Sequence, residues 1–389
     1  MDRFGVYFHI PYCLQRCLYC DFATYEQSQI LPAEDYTSLV LREMEQRKSF
    51  FTPRPLQTLY FGGGTPSLLD PDHILQMIQG LEKLGFSHGP DTEITIEINP
   101  ATLNKRKMET YLKAGINRFS VGAQTFDNTQ LKKVNREHSA QQTEDTLSFL
   151  KSYQVNYSFD LLFALPGQSL DGLKRDLEFV FKYDPPHVSP YCLTVPRENP
   201  LSAGRPSEDH QVEMFDVITQ SLTSHGYTQY EISNFAKPGF ESRHNKLYWE
   251  DQEWWGLGLS SHSYSKATPY GIRFWNPRSI HDYEKQIHQG LDLSSPLELP
   301  VSQFENLERH QAMTDYCHTS LRQLEGLSLS SAIQKFNSAL ALKIQNRCQK
   351  MVAKGLLEKT SYGFALTSEG IVLSNQVFLE LTFLEEDLL

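Results

Sequence analysis

The sequence predicts an α/β fold: a partial (β/α)6 barrel followed by a smaller, mostly helical C-terminal domain that is winged-helix-like. Six short strand-like runs alternate with segments of helical period in the first half of the chain, and glycine and polar residues collect where those runs end. Beyond residue 196 the pattern changes, and helical periodicity returns from about residue 300. We therefore expect a barrel core over residues 1–200, an aromatic-rich extension over 201–295 and a C-terminal helical domain over 296–389.

The predicted strands of the barrel are short and apolar. They cover residues 4–10, 58–61, 93–98, 118–125, 157–164 and 187–195. Helices are predicted between them at about 33–49, 72–84, 102–114 and 170–182, with further helical segments up to about residue 152. Strands that alternate with helices of this length imply parallel β/α units, which close wholly or partly into a barrel.

The second half of the chain is less regular. Residues 196–206 are rich in proline, glycine and serine and predict a loop, followed by a helix over 208–225 and a strand over 227–233. Residues 234–278 are dense in aromatic residues and glycine without a clean period, which predicts an irregular segment. Near the C-terminus, residues 355–357 and 364–367 predict a β-hairpin among helices, as in winged-helix folds.

Composition and charge exclude several classes of function. The net charge of −11 argues against a nucleic-acid partner, which requires a basic face. The sequence holds no run of about 18 apolar residues that could span a membrane and no signal-peptide pattern, so we expect a cytoplasmic protein with reduced thiols. In that compartment clustered cysteines are more often metal ligands than disulfides.

Three of the six cysteines, Cys13, Cys17 and Cys20, follow the first predicted strand with the spacing C-x3-C-x2-C. Three thiolates can bind three corners of a [4Fe–4S] cluster and leave the fourth iron open to a small molecule, whereas an electron-transfer cluster is normally closed by four cysteines. A structural zinc site requires four ligands, and only His9 is near enough in sequence to complete one. We therefore favour the open cluster over zinc and over spare thiols.

Glycine and polar residues at the predicted strand ends form a second candidate group. Gly62-Gly63-Gly64-Thr65 lacks the pattern of a phosphate-binding loop and indicates either close approach to a ligand or a tight turn. Glu97, Gln124, Arg136 and Asp160 lie at or just beyond strand ends. Singly, each is typical of a surface or capping residue. Together at one rim of a barrel, they could hold a polar cofactor by its amine, carboxylate and ribose hydroxyls.

The aromatic segment contains all four tryptophans within 27 residues, together with His244 and His262. One interpretation is an aromatic core around an irregular loop, with both histidines structural. The other is a flat apolar pocket for a macrocycle, with a histidine as axial iron ligand. From the residues alone the first interpretation is favoured, because isolated histidines are usually structural.

These motifs resemble those of the radical S-adenosylmethionine (SAM) enzymes, in which an aromatic residue, here Tyr19, precedes the last cysteine. Within them, the chain is most similar to the HemW heme chaperones and to the related HemN-type oxygen-independent coproporphyrinogen III oxidases. The stretches that carry the resemblance extend from residue 6 to about 264 and include His9-Ile10-Pro11, 61–67, 97–100, 122–126, 160–168, 230–236 and His244-Asn245-x-x-Tyr248-Trp249.

The resemblance implies that SAM chelates the open iron and that Gly63, Gly64 and Thr65 meet its methionyl end. In such enzymes, reduction of SAM by the cluster generates a 5′-deoxyadenosyl radical. The positions that match SAM-contacting residues of the HemN type are Tyr7, Tyr19, Glu97, Gln124, Arg136, Asp160 and Thr194. The domain over 296–389 is implied to be of the HemN type.

Two departures separate the chain from the oxidases. They carry a further cysteine two residues after the third ligand, where this chain has Phe22, and a long extension before the first strand, where Tyr7 here is almost at the start. HemW-like proteins share both features. The resemblance therefore implies a heme chaperone without oxidase activity, with His244 as heme ligand, which delivers heme to acceptor hemoproteins of the respiratory chain and has at most peripheral contact with membrane proteins.

Two alternatives remain open at this point. One is an oxidase that decarboxylates coproporphyrinogen III, and the other is a radical SAM enzyme with an unrelated substrate and the aromatic segment as core. The chain also departs from the usual HemW pattern at Phe163-Ala164, at Ser242 and over residues 259–261. None of these departures removes a predicted cluster ligand.

Overall fold

A computed structural model describes residues 3–388. Its strands are β1 (Phe4–Ile10), β2 (Tyr12–Cys13), β3 (Tyr25–Glu26), β4 (Thr58–Gly63), β5 (Glu93–Ile98), β6 (Arg118–Gln124), β7 (Asn156–Phe163), β8 (His187–Cys192), β9 (Thr228–Glu231), β10 (Asn234–Ala236), β11 (Glu253–Leu257), β12 (His262–Ser265), β13 (Ile272–Trp275), β14 (Phe304–Asn306), β15 (Leu327–Ser328), β16 (Leu357–Lys359) and β17 (Gly363–Leu366).

The helices connect the strands of the main sheet and build most of the C-terminal part. They are α1 (Ala33–Gln46), α2 (Pro71–Lys83), α3 (Lys105–Lys113), α4 (Asn128–Lys133), α5 (Ala140–Ser152), α6 (Leu170–Tyr183), α7 (Glu208–Ser224), α8 (Arg243–Trp249), α9 (Ile280–His288), α10 (Arg309–Arg322), α11 (Leu329–Phe336), α12 (Ser338–Ala353), α13 (Ser368–Val372) and α14 (Ser374–Glu380). In residues 3–388, no helix is both long enough and apolar enough to cross a membrane.

The α/β prediction is confirmed by the main sheet. The six predicted strands, β1 and β4–β8, lie side by side in chain order, and every neighbouring pair is parallel. The short apolar runs form strands in the interior of the fold: every residue of β1 except Tyr7 is buried. The sheet remains open, since its edge strands β14 and β9 are not paired with each other among the described residues.

The aromatic-rich segment corrects one prediction, because it is not an irregular loop. Residues 253–257 form β11, which pairs in parallel with β1 on the side away from β4. Strands β12, β13 and β14 then extend the sheet antiparallel to one another. A short strand such as β11 gives no periodic signal, and its partner β1 lies more than 240 residues earlier in the chain.

The strand predicted over 227–233 is shorter than expected. It ends as β9 at Glu231, whose carboxylate accepts hydrogen bonds from the backbone N–H of Ser233 (3.0 Å) and the side-chain amide of Asn234. These bonds stabilise a turn, after which β10 runs back antiparallel to β9 and pairs with β8. The antiparallel hairpin ends the sheet on this side.

The C-terminal part has its own apolar core, built from α10, α11, α12 and the strands β15–β17. The predicted hairpin is confirmed as β16 and β17, which pair antiparallel. An ion pair between Arg322 Nε of α10 and the buried Glu231 carboxylate (2.9 Å) connects this part to the main sheet. The predicted division at residues 200 and 295 stays a prediction.

A buried polar network centred on Glu43 joins α1 and α9 to the loop before β12. One Glu43 oxygen accepts from Arg47 Nη1 (2.8 Å) and Asn276 Nδ2 (2.7 Å), and the other accepts from the Tyr283 hydroxyl (2.7 Å) and the Gly258 N–H (2.8 Å). Glu43 and Arg47 are almost completely buried. The bond from the Gly258 N–H therefore ties the loop before β12 to α1, and the Tyr283 bond ties α9 to the same carboxylate.

Candidate cluster and cofactor site

A cavity of about 550 Å³ opens at the carboxyl ends of the parallel strands, between the cysteine loop and β4–β8. Among its lining residues are twelve of the predicted site residues: Cys13, Cys17, Tyr19, Cys20, Gly63, Gly64, Thr65, Glu97, Gln124, Arg136, Asp160 and Thr194. The predicted convergence on one rim is therefore present in the fold. Tyr7 and His244 lie outside the cavity wall.

The cysteine loop is held by backbone contacts at both ends. Strands β2 and β3 pair in parallel and close it, and the Leu18 N–H donates to the Val134 carbonyl at the end of α4 (3.2 Å). Within the loop, the Cys20 N–H donates to the Cys17 carbonyl (3.2 Å). Arg136 Nη1 lies 3.5 Å from Cys17 Sγ, so a guanidinium faces the position where a thiolate charge would develop.

The three thiols are free and partly exposed, as a cluster site requires. Burial raises the pKa of Cys13 and Cys20, so metal binding must displace their protons. In residues 3–388, no three His, Cys, Asp or Glu side chains are placed to hold a single metal ion. Cysteines that each bind a different iron need not form such a group, so the role of these three as ligands of a [4Fe–4S] cluster stays a prediction.

The glycine run packs against the start of the cysteine loop. Gly63 has φ +106°, and a Cβ there would collide with the His9 imidazole; a Cβ on Gly64 would lie 2.7 Å from the carbonyl oxygens of Ile10 and Tyr12. The Gly64 N–H donates to the Ile10 carbonyl (2.8 Å), so the close approach is to protein backbone. The glycines thus fix the loop beside the cavity that they line.

Two carboxylates in the cavity have raised pKa values. Burial, followed by the charge of Asp160, raises the pKa of Glu97 to about 7, although Glu97 accepts from the Tyr60 hydroxyl (2.8 Å) and the Gly63 N–H (3.0 Å). Burial also raises the pKa of Asp160 to about 6. Both groups therefore change charge near neutral pH, and a polar ligand in the cavity can contact either form.

Arg118 supplies a positive charge to the same cavity. It is only 3% exposed, and its side chain forms no hydrogen bond or ion pair with any other described residue, with Nε fully buried and unpaired. Glu97 and Asp160 are near enough that the charge of Arg118 acts to lower their pKa values, but neither forms a direct ion pair with it. A buried guanidinium without a direct partner is costly unless a ligand compensates for it. This arrangement favours a ligand that carries a carboxylate, as SAM does.

His244 lies on α8, and its ring packs beside Gly5 of β1 and Thr58 of β4. It is 1% exposed, its Nδ1 lies 2.7 Å from the Thr58 hydroxyl, and its Nε2 lies 2.8 Å from the Tyr248 hydroxyl. Its ring stacks on Tyr60 at 5.1 Å, and burial lowers its pKa to about 3. Both ring nitrogens are thus engaged, and ligation of heme iron by His244 stays a prediction that requires one of these bonds to break.

Tyr7 lies beside Tyr60 with ring centroids 6.0 Å apart, and its hydroxyl is 3.1 Å from His9 Nδ1. It therefore sits in the sheet next to the cavity, and its predicted contact with SAM stays a prediction. Thr194 is exposed at the cavity rim. Gln124, which ends β6, has φ +66°, an unusual backbone conformation of the kind that concentrates at functional sites.

Comparison with known proteins gives the family. Residues 7–180 match the radical SAM superfamily. Two relatives, each named heme chaperone HemW, come from Lactococcus lactis (31% identical, 96% of both chains) and Bacillus subtilis (30% identical, 96% of this chain and 98% of the relative). The chain belongs to the HemW family. The solved structure of Escherichia coli coproporphyrinogen III oxidase (HemN) aligns with 98% of this chain and 90% of its own chain, with a TM-score of 0.82 at 21% identity. The two proteins therefore have the same fold.

Membership of the HemW family within the radical SAM superfamily implies a [4Fe–4S] cluster and SAM as cofactors. The chain's residues fit this pair, because the three free thiols, the partnerless Arg118 and the paired carboxylates face one cavity. Phe22, two residues after the third cysteine, is 62% exposed at the cavity.

Several cavity residues were not predicted from the sequence. They lie on β4, β6 and β8, directly after β5 and on α8: Tyr60, Asn99, Arg118, Ser120, Ser189, Tyr191 and Asn245. A signal was present in β6, where Arg118, Ser120, Gly122 and Gln124 alternate with buried apolar residues. Polar residues at every second position of a strand enclosed by helices indicate a polar face inside the barrel.

Glu93 positions the His244 segment, and its replacement tests this. Its carboxylate accepts from the backbone N–H of Arg243 (3.1 Å) and His244 (3.0 Å), which have no partner within α8. Glu93→Ala is expected to lower the free energy of unfolding by about 1–3 kcal/mol. Chemical denaturation measures the loss, and Glu93→Gln, which keeps one acceptor oxygen, should lose less; equal stability of all three proteins contradicts the role.

The pKa of Glu97 predicts a pH dependence of stability in the cluster-free protein. The pKa of Glu97 is about 7 in the folded state, whereas the ordinary value of a glutamate, taken for the unfolded state, is 4.5. The contribution of Glu97 to stability is therefore complete below pH 4.5 and is lost as the pH rises through 7. Relative to Glu97→Gln, the wild type should lose roughly 3 kcal/mol of stability over that window. Denaturation at several pH values measures the difference, which includes the coupling between Glu97 and Asp160. Parallel stability curves would show that Glu97 is not the titrating group.

Proposed function

We propose that this chain is a heme chaperone that holds a [4Fe–4S] cluster and SAM, binds heme and delivers it to acceptor hemoproteins of the respiratory chain. The observation that carries the proposal is the similarity along almost the whole chain to relatives named heme chaperone HemW, at 31% identity over 96% of both chains in the Lactococcus lactis case. We further propose that the protein acts in the cytoplasm and meets membrane-bound acceptors only peripherally.

In this proposal Cys13, Cys17 and Cys20 bind three irons, and SAM occupies the fourth. The cluster with SAM supplies one-electron chemistry when bound. The Arg136 guanidinium, 3.5 Å from Cys17 Sγ, offsets the thiolate charge, and the Arg118 guanidinium faces the ligand carboxylate.

The remaining cavity residues orient the ligand. Glu97 fixes the end of the glycine run through the Gly63 N–H, and its second oxygen is held by Tyr60. Asp160, which lies 3.5 Å from the Ser120 hydroxyl, is proposed to meet the ribose hydroxyls. The raised pKa values of both carboxyls allow each to donate or accept a proton near neutral pH.

Heme binding tests the proposal. The reconstituted protein is titrated with ferric heme under anaerobic conditions and followed by the Soret band. We expect saturation at one heme per chain, and retention of the bound heme through gel filtration. Bovine serum albumin, which binds heme without a cluster, serves as the reference for spectra. A signal that rises linearly without saturation contradicts specific heme binding.

The HemN-like fold leaves oxygen-independent oxidation of coproporphyrinogen III as the second candidate. The wild-type protein, supplied with SAM, a reductant and coproporphyrinogen III, is assayed beside the Escherichia coli oxidase, and the porphyrins are separated by chromatography. We expect product only from the oxidase. Decarboxylated product from this chain would favour the enzyme over the chaperone.

A further inference from the structure

Tyr60 of β4 lies between the cluster cavity and α8. Its hydroxyl donates to Glu97 Oε1 at 2.8 Å, and Glu97 is one of the proposed SAM contacts. Its ring stacks on the His244 imidazole, with the ring centroids 5.1 Å apart and the planes 28° from parallel. Tyr60 itself lines the cavity. One side chain therefore contacts both a proposed SAM residue and the proposed heme ligand.

Within residues 3–388, the only hydrogen bond that leads from Glu97 toward α8 is the one to Tyr60. The other Glu97 oxygen accepts from the Gly63 N–H (3.0 Å) and so leads back to the glycine run. Glycine at position 62 leaves room for the Tyr60 bond, because a Cβ on Gly62 would lie 2.7 Å from Tyr60 Cε1 and 2.8 Å from Glu97 Oε1. A ligand that fixes the Glu97 carboxylate therefore also restrains the Tyr60 ring.

The strand that carries Tyr60 also holds the His244 ring by a hydrogen bond. The Thr58 hydroxyl lies 2.7 Å from His244 Nδ1, and Thr58 and Tyr60, two residues apart on β4, face the same side of the strand. A Cβ on Gly5 of β1 would lie 3.3 Å from Nδ1, so glycine at this position leaves room for the ring. Iron ligation by His244 breaks one of its two hydrogen bonds. The Tyr60 stack is the contact that remains whichever bond is lost.

The charge of SAM gives this connection a direction. SAM carries a sulfonium cation, and a cation in the cavity favours the ionised form of Glu97, whose pKa burial raises to about 7. An ionised carboxylate is a stronger acceptor for the Tyr60 hydroxyl than a protonated one. The Tyr60 ring is then held more firmly against His244, and an imidazole that is already held in place loses less conformational freedom when it binds iron.

We propose that Tyr60 couples the two ligand sites of this chain: SAM in the cluster cavity tightens heme binding at His244, and heme tightens SAM binding by the same factor. Tyr60 acts as a positioning residue, because it reaches the heme only through the His244 imidazole. The inference rests on the proposed function, which supplies both ligands, and adds a condition to it. The protein holds heme most tightly while SAM is bound.

The test measures the affinity for ferric heme by the Soret band, with and without saturating SAM, in wild type, Tyr60→Phe and Tyr157→Phe. The proteins carry the oxidised cluster and no reductant is added, so SAM is not cleaved. Tyr60→Phe keeps the ring that stacks on His244 and removes only the hydroxyl that reaches Glu97. Tyr157→Phe is the matched control, because it also removes a hydroxyl that donates a hydrogen bond, from β7 to the Tyr183 carbonyl at the end of α6 (2.7 Å). Iron and sulfide content and circular dichroism report whether each protein is folded.

We expect SAM to tighten heme binding about fivefold or more in wild type and in Tyr157→Phe, and to leave the heme affinity of Tyr60→Phe unchanged. Equilibrium dialysis with radiolabelled SAM, with and without heme, should give the same factor in each protein, because the coupling of two binding equilibria is reciprocal.

Full coupling in Tyr60→Phe, or its loss in Tyr157→Phe as well, overturns the role of Tyr60. A wild type that binds heme and SAM independently, or that binds heme more weakly when SAM is present, overturns the coupling while the chaperone proposal stands. Absence of heme binding by the wild type overturns the chaperone proposal itself, and the coupling with it.

Discussion

Replacing Cys17 with alanine is expected to abolish cluster binding, so that the reconstituted variant lacks the brown chromophore and its iron content falls from four per chain to near zero. Two remaining cysteines cannot hold a cube that already lacks a fourth protein ligand. Cys17 is also the cysteine that Arg136 contacts, at 3.5 Å from its sulfur. Absorbance and iron and sulfide analysis after anaerobic reconstitution measure the loss.

Cys192 provides a matched control in the same cavity. It is exposed, lies at the end of β8 and makes a hydrogen bond from its thiol to Gln211 Oε1 (3.5 Å). Because SAM is proposed to occupy the fourth iron, Cys192→Ser should retain the full cluster. Loss of the cluster in Cys192→Ser would identify a fourth cysteine ligand and contradict the open iron, and a full cluster in Cys17→Ala would show that other ligands hold it.

Replacing Glu43 with alanine is expected to give the largest loss of stability of any single substitution considered. It removes the partner of the buried Arg47 and leaves the Tyr283 hydroxyl and the Gly258 N–H without an acceptor. Removal of one member of a buried ion pair costs about 3–5 kcal/mol. Chemical denaturation of the cluster-free protein measures the change in the free energy of unfolding.

Glu45 is the matched control on the same helix. It is exposed and pairs with the exposed Lys48 at 3.3 Å, so Glu45→Ala should change stability by less than about 0.5 kcal/mol. Glu43→Gln, which keeps one acceptor oxygen, should fall between the two. If Glu43→Ala were no less stable than Glu45→Ala, the network would not be what holds the loop before β12.

The parallel sheet could be predicted from the sequence because its strands repeat one local pattern, an apolar run followed by a helix. The cysteine loop and the polar residues at the strand ends follow from the same pattern, since parallel strands bring their carboxyl ends to one rim. The position of β11 could not be predicted, because a five-residue strand pairs with β1 across most of the chain. Local periodicity carries no information about such a partner.

Individual roles were harder to predict than positions. Glu43 stands on a helix face among apolar residues, where sequence alone does not distinguish a buried network from a surface charge. His244 and His262 look alike in sequence, yet one is buried with both nitrogens bound and the other is exposed. Burial and hydrogen-bond partners, which only the fold provides, decide what each of these side chains can do.

Delivery of heme is the central claim, and a transfer measurement tests it most directly. The heme-loaded protein is mixed with membrane vesicles from heme-deficient bacteria, which contain heme-free respiratory proteins, and in parallel with protein-free vesicles of the same lipids. After sedimentation, heme is measured in both fractions. We predict that heme moves to the vesicles that hold the acceptor proteins and stays with the chaperone when lipid alone is present. Equal transfer to both kinds of vesicle, or retention of heme in both mixtures, would contradict the account.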